Sequence, residues 1–274
     1  MTPPIPLAVT EHLPGGSRGD GPLVVLVHGS LDRSDSFTRV VRRLDDLHTV
    51  VYDRRGYNRS RAALPLNVTV DGHIDDLLAI IDGRPAVVGG HSYGGDVALG
   101  AAVRGGSGSS IVSVAAYEPP MPWLGTWSRR APGPTAGEAT TGNAGAAAST
   151  DPPAAAEHFF RRMIGDSAWE RLSEEGKDQR RADGPALQAE LDALRGSGAP
   201  FDVTTLSVPA TFGMGANSAS RHRLTVEWLV GHVAGAELVE IAGASHGAHL
   251  THPDAFAALV RSTVERAGRP VQTA

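Results

Sequence analysis

An α/β fold with a doubly wound, mostly parallel sheet is predicted by three features of this 274-residue chain. Short apolar runs alternate with segments whose apolar residues recur at helical spacing, the order that wraps helices around a parallel sheet through right-handed crossovers. Several of those runs are apolar without interruption, which suits strands buried on both faces. Finally, Gly90-His91-Ser92-Tyr93-Gly94 stands between the β-type run Pro85-Ala86-Val87-Val88 and the apolar segment Asp96–Val103. A Gly-x-Ser-x-Gly at a strand-to-helix turn is what a nucleophile elbow requires. Small residues let strand and helix approach closely, the serine Oγ projects above the sheet, and the N–H groups that open the helix favour negative charge.

In chain order, residues 5–13 hold one or two short strands and residues 15–21 a turn. Leu23–His28 is a continuous apolar run closed by Gly29. Phe37, Val40, Val41, Leu44 and Leu47 share a helical face over 34–47, with Ser34 as N-cap. The strand Thr49–Tyr52 leads into the polar turn 53–60. A helix opened by Thr69 or Asp71 carries Ile74, Leu77, Leu78 and Ile81 and ends at Gly83. After the elbow and its helix, Ile111–Ala116 is the next strand. From Glu118 the alternation breaks. Residues 125–156 are rich in Ala, Gly, Pro, Ser and Thr, have little to bury and are expected to be mobile. Residues 153–182 and 184–195 are expected to be helical, with Phe159, Phe160, Met163, Ile164, Trp169 and Leu172 on an apolar face. The alternation resumes with the strand Val208–Phe212, the helix Ser220–Val233, the strand Glu237–Ile241 and the helix Asp254–Ala267, with Pro253 suited to its first turn. These assignments divide the chain into a core, residues 1–118 and 203–274, and a lid insertion, residues 119–202, laid over the C-terminal strand ends where open α/β sheets place their sites.

Composition narrows the function. Charged residues make up 20% and hydrophobic ones 41%, as in an ordinary soluble globular protein. A net charge of -5 offers no basic footprint for nucleic acid. The absence of cysteine rules out disulfides, thiolate metal sites and a cysteine nucleophile, and fits a reducing cytoplasm. Met1–Pro6 lacks the basic and apolar regions of a signal peptide, and no apolar run approaches the roughly 18 residues of a membrane span. A cytoplasmic protein with a small-molecule partner is therefore expected, its oligomeric state open.

Four motifs in order carry a family resemblance. They are Val25-Leu26-Val27-His28-Gly29; Tyr52-Asp53-Arg54-Arg55-Gly56-x-x-x-Ser60, with Asn58 where glycine is usual; the Gly90-x-Ser92-x-Gly94 elbow; and Gly243-x-x-His246-x-x-His249-x-x-x-Pro253. Together they resemble the α/β-hydrolase superfamily in its serine-nucleophile, esterase- and lipase-like branch, over nearly the whole chain except the lid. The resemblance implies the α/β-hydrolase fold with a helical lid, and a cofactor-independent hydrolase of carboxylic esters, lactones or thioesters working through an acyl-enzyme. Ser92 would be the nucleophile. His246 would be the base, its spacing to Pro253 favouring it over His249 and His252. The oxyanion hole would take the backbone N–H of Tyr93 and that of Ser30, with Leu31 as the alternative.

The orienting acid departs from the commonest pattern of that superfamily. No carboxylate follows the Val208 strand in Gly213–Ser220. Some members place the acid after the preceding strand, where this chain has Glu118, and Asp202 and Asp254 are the next candidates. Pro119 should bias Glu118 to an extended conformation. His91 is expected to pack beneath the elbow, and Asp53 and Arg55 to pin their turn. Leu31 is expected to touch substrate, and Trp123, Trp127, Phe159, Phe160, Met163 and Trp169 would either line an apolar substrate pocket or form the lid's own core. No cofactor is implied, and no metal, because the histidines show no ligand set with carboxylate or cysteine partners. A serine at the elbow counts against the dehalogenase and epoxide-hydrolase branches. A lyase, C–C hydrolase or cofactor-free oxygenase on the same triad, or a non-catalytic ligand receptor, remains an alternative.

Overall fold

The computed structural model describes residues 6–17, 21–62, 68–126, 151–196, 198–269 and 271. Among them, seven strands form one sheet in the order β1-β3-β2-β4-β5-β6-β7. The strands are β1 (Val9–His12), β2 (Leu23–Val27), β3 (Thr49–Tyr52), β4 (Ala86–His91), β5 (Ile111–Tyr117), β6 (Ala210–Gly215) and β7 (Glu237–Ile241). All neighbours pair in parallel except β1, which runs antiparallel to β3. The uninterrupted apolar runs become strands covered on both sides, and every residue of β2, β3, β4 and β6 is buried.

The two-residue period of a strand decides which layer each side chain joins. Leu23, Val25 and Val27 of β2 enter a core with α2 (Val70–Ile81), α3 (Tyr93–Gly105) and α8 (Ser220–His232). Val24 and Leu26 point the other way, into a core with α1 (Thr38–Val41), α9 (Ala248–Thr251) and α10 (Pro253–Glu265). Between β5 and β6 the chain forms α4 (Pro152–Ile164), α5 (Asp166–Glu170), α6 (Glu174–Ala182) and α7 (Gly184–Arg195). The crossovers place β3 on one side of β2 and β4 on the other. The loop after β2 and the elbow after β4 therefore flank the topological switch point, where such sheets bind ligands.

Several elements differ from the sequence expectation for identifiable reasons. The helix expected over 34–47 is a 3₁₀ turn, Ser34–Phe37, followed by the single turn of α1. Ser34 does not cap it, because its N–H and hydroxyl both donate to Asp53 Oδ1, at 2.9 and 2.7 Å. The continuous helix expected over 153–182 is three helices. Gly165, at φ 108°, breaks the first, and the Ser173 hydroxyl caps α6 by accepting from Gly176 N at 3.1 Å. β6 begins at Ala210 rather than Val208, since Pro209 has no N–H to pair and offers only its carbonyl, to Val114 N at 2.9 Å. Glu118 is not extended but sits at φ 47°. Its N–H still closes the ladder on Gly213 O at 3.0 Å, and the chain then turns off β5. Most of the stretch expected to be mobile lies outside the described residues.

Candidate active site

The elbow is built by exclusion of side chains. Ser92 adopts φ 53° and ψ -127°, a conformation costly for any residue but glycine, between β4 and the first residue of α3. A Cβ on Gly90 would lie 2.2 Å from Gly94 O, and one on Gly94 would lie 2.1 Å from Val27 O. Strand and helix can meet this closely only where both residues are glycine. Ser92 N donates to Tyr117 O at 2.9 Å and Gly95 N to Ser92 O at 2.7 Å, which locks the turn. Tyr93 opens α3, so its amide has no partner within the helix and faces the elbow with the helix's partial positive charge.

Glu118 and His246 meet across the strand ends. His246 Nδ1 lies 2.7 Å from Glu118 Oε2, and both residues are buried. The other carboxylate oxygen, Oε1, accepts from Gly215 N at 2.8 Å and from the Ser218 hydroxyl. Glu118 thus uses its longer side chain to cross the end of β6 and reach the loop after β7. The other acids considered are elsewhere: Asp202 accepts from Thr204 N at 3.0 Å, and Asp254 pairs with Arg43. Ser218 lies in the carboxylate-free stretch after β6, where no local pattern marks its hydroxyl as a partner of Glu118.

Two neutral imidazoles flank His246. His222 stacks on it with ring centroids 4.3 Å apart and planes at 21°, and the His91 ring lies at 4.8 Å. Burial, reinforced by the neighbouring histidines, holds both His91 and His222 well below the ordinary imidazole range. His91 Nε2 donates to His246 O at 2.7 Å, which ties the catalytic-loop candidate to the elbow. Nothing in the sequence marked His222 beyond its place in a helix. Among the described residues, two groups of three could offer metal ligands within 4.8 Å of one another, Glu118–His222–His246 and Asp32–His91–His249, against the expectation of no such set. Their members come from separate strands, helices and loops, so no local spacing revealed them. In the first group the histidine rings stack face to face, and in the second His249 Nε2 bonds Asp32 Oδ2 directly at 3.2 Å.

The loop after β2 lies beside Ser92. A Cβ on Gly29 would fall 3.0 Å from Ser92 Cβ. Ser30, half-buried, donates its hydroxyl to Glu190 Oε2 of α7 at 2.7 Å. Leu31, at φ 54°, is buried against Ala156 and Leu187, with Phe159 and Phe160 packed on the same cluster. Phe160 meets Trp169 edge-on at 5.4 Å. Met163 Sδ touches Arg221, at 3.9 Å, beside His222. Trp123 instead joins the main core and meets Phe201 edge-on at 5.5 Å. Trp127 lies outside the described residues. Asp53 receives Ser34, Asn58 and Arg59, while Arg55 pairs with Asp76, so both pin their surroundings.

Residues 24–259 match the model of the alpha/beta hydrolase family. An uncharacterized hydrolase of Bacillus subtilis, YraK, is 40% identical over 105 residues, 35% of this chain and 39% of that protein. Lipase LipV of Mycobacterium tuberculosis is 35% identical over 83 residues, 29% of this chain and 31% of its own length. The matched stretches thus span well under half of these curated relatives. Among solved structures, a hydrolase from Pseudomonas aeruginosa superposes with TM-score 0.69 at 19% identity, covering 94% of each chain. The enol-lactonase of Burkholderia xenovorans follows at TM-score 0.66 and 21% identity, covering 95% of this chain and 100% of its own. A thermophilic esterase from Thermogutta terrifontis gives TM-score 0.68 at 18% identity, covering 94% and 93%. At these identities the likeness is one of fold. Among the described residues no helix is long and apolar enough to cross a membrane.

Proposed function

The chain belongs to the α/β-hydrolase family, and from that premise we propose that it is a serine hydrolase that cleaves a carboxylic ester, lactone or thioester through an acyl-enzyme. The observation that carries this reading is the buried Glu118–His246 pair at the loop tethered to the Ser92 elbow. Similarity to proteins described as a lipase, an esterase and an enol-lactonase favours the same bond class.

In this mechanism Ser92 Oγ attacks the carbonyl carbon and passes its proton to His246 Nε2. The carbonyl oxygen becomes an oxyanion held by the N–H groups of Tyr93 and Ser30. The imidazolium gives its proton to the departing alkoxide or thiolate as the carbonyl–heteroatom bond breaks. Water, deprotonated by His246, then attacks the acyl-enzyme, and the proton returns to Ser92 as the acid leaves. Glu118 keeps the imidazole proton on Nδ1 and balances the positive charge that forms twice per turnover. Helices α4–α7, within the insertion 119–202, act as the lid, with Leu31, Phe159, Phe160 and Met163 as its apolar lining.

Reaction with a fluorophosphonate probe tests the reading. Peptide mass spectrometry should find the label on Ser92, and Ser92→Ala should lose both the label and p-nitrophenyl ester turnover. Label on a different serine, or parental turnover by the alanine variant, would refute it.

A further inference from the structure

We infer that Arg54 and Glu190 are a positioning pair for the oxyanion hole, so that seating α7 on the core orients the Ser30 amide. The inference rests on the serine-hydrolase reading for its catalytic consequence, but its geometry stands apart from it.

Both side chains are wholly buried, one from the turn after β3 and the other from α7. A buried guanidinium needs a counter-charge and acceptors for its donors. Arg54 Nη1 pairs with Glu190 Oε1. Its remaining donors do something specific: Nε donates to His28 O at 2.8 Å, and Nη2 donates to Gly29 O at 3.0 Å. His28 Nδ1 donates to the same Gly29 carbonyl at 2.8 Å. The Gly29 carbonyl and the Ser30 N–H belong to one planar trans peptide, so they point in opposite directions. Holding that oxygen toward Arg54 turns the Ser30 N–H away from it. This is the peptide next to Ser92, where a Gly29 Cβ would stand 3.0 Å from the serine Cβ.

Glu190 holds the same loop from the other side. Its Oε2 accepts from the Ser30 hydroxyl and from Tyr57 OH, each at 2.7 Å, and its Oε1 lies 3.0 Å from His73 Nε2. The second oxyanion residue is also engaged, since the Arg54 guanidinium carbon lies 4.8 Å from the centroid of the Tyr93 ring. Although burial opposes ionisation of Glu190, Arg54 keeps its carboxyl at about 2, so the pair is ionic at neutral pH. Removing α7 would strip Arg54 of its counter-charge and leave the Gly29–Ser30 peptide without its bracing.

Two variants test this without relying on one fold outcome. Arg54→Met/Glu190→Met removes both charges at similar volume, a change buried pairs often tolerate. Arg54→Lys keeps the charge pair but lacks the planar fork that spans both carbonyls. Each should lower kcat by about 10²–10³-fold with little change in KM, the loss expected for one oxyanion donor. Affinity for an arylboronic acid, which forms a tetrahedral adduct with the serine, should fall in parallel. Amide hydrogen exchange over 28–31 should rise at least about tenfold, while β4 and β5 keep parental protection. If either folded variant retains parental exchange in that loop, or parental kcat and boronate affinity, the pair does not position the hole. A uniform rise in exchange across the sheet would equally overturn the inference, since it marks a general structural role. A parental protein that neither labels at Ser92 nor binds boronate would refute the hydrolase reading, and loop exchange would still decide the role of the pair.

Discussion

Glu118→Gln is the most informative single substitution, because the structure dictates which way the new amide must face. Glu118 Oε1 receives the Gly215 N–H at 2.8 Å, a donor that cannot reverse. The glutamine carbonyl must therefore take that position, and the Ser218 hydroxyl supports it there. The NH₂ group then stands where Oε2 now lies, 2.7 Å from His246 Nδ1. A donor facing Nδ1 forces the imidazole proton onto Nε2, the atom that accepts the proton of Ser92 in the proposed mechanism. The variant loses the productive tautomer and the carboxylate that stabilises the imidazolium. By analogy with Asp-to-Asn changes in other triads, turnover should fall roughly 10⁴-fold, about 5.5 kcal/mol in the barrier. The side chain is isosteric and its Oε1 contacts survive, so the fold should persist. Steady-state kcat on a p-nitrophenyl ester, with thermal melting as the control, provides the assay. A folded variant within tenfold of parental turnover would defeat the argument, as would imidazole NMR showing the proton still on Nδ1.

Two further outcomes follow from the packing and the charges. Gly94→Ala would bring a Cβ within 2.1 Å of Val27 O, a backbone atom that cannot yield without moving α3 from β2. It should destabilise the protein by more than about 3 kcal/mol in urea unfolding, and a change below about 1 kcal/mol would contradict the close approach. Acid stability should reflect His28, whose neutral ring is used at both nitrogens: Nδ1 donates to Gly29 O and Nε2 accepts from Arg54 N. Burial, with Arg54 beside it, lowers His28 from 6.5 to about 4. Below pH 6.5 the unfolded chain binds a proton that the folded chain refuses until about pH 4, so stability is full above this window and falls within it as pH drops. The loss from His28 at pH 5 is about 2 kcal/mol, and His91 and His222 act in the same direction. Urea midpoints that do not change between pH 7 and 5 would refute this.

What the sequence disclosed depended on the range of the interaction. The strands were legible because an uninterrupted run such as Leu23–Val27 has no stable place except a sheet covered on both faces. The elbow was legible because its constraint is local, with glycines two residues on either side of Ser92. The helix expected over 34–47 failed where a tertiary partner intervened. Ser34 was an ordinary N-cap until Asp53, 19 residues away, claimed its hydroxyl. Glu190 was one more acid on an amphipathic helix, and its pairing with Arg54 spans 136 positions. His222 likewise acquires meaning only by lying flat on His246. In each case the local pattern was sound, and a contact distant in sequence outweighed it.

Backbone strain supplies an independent line of reasoning about where function resides. Six non-glycine residues among those described have positive φ: Leu31, Asn58, Asp82, Ser92, Glu118 and Met121. Asn58 and Asp82 are types that tolerate this region, and they sit in a turn and at a helix end. Leu, Ser, Glu and Met are not, and each such residue costs on the order of 1–3 kcal/mol. Ser92 is the proposed nucleophile and Glu118 its remote acid. Leu31 follows the proposed oxyanion residue, and Met121 lies three residues beyond Glu118. A fold selected for stability alone would have placed glycine or asparagine at such positions. Side chains that dislike the left-handed region persist where something else requires them. For Glu118 the requirement is visible: the positive φ lets the chain leave β5 while the carboxylate crosses the end of β6 to Gly215, Ser218 and His246. The extended conformation that Pro119 favours in isolation gives way to four hydrogen bonds in which Glu118 takes part, one through its N–H and three through its carboxylate.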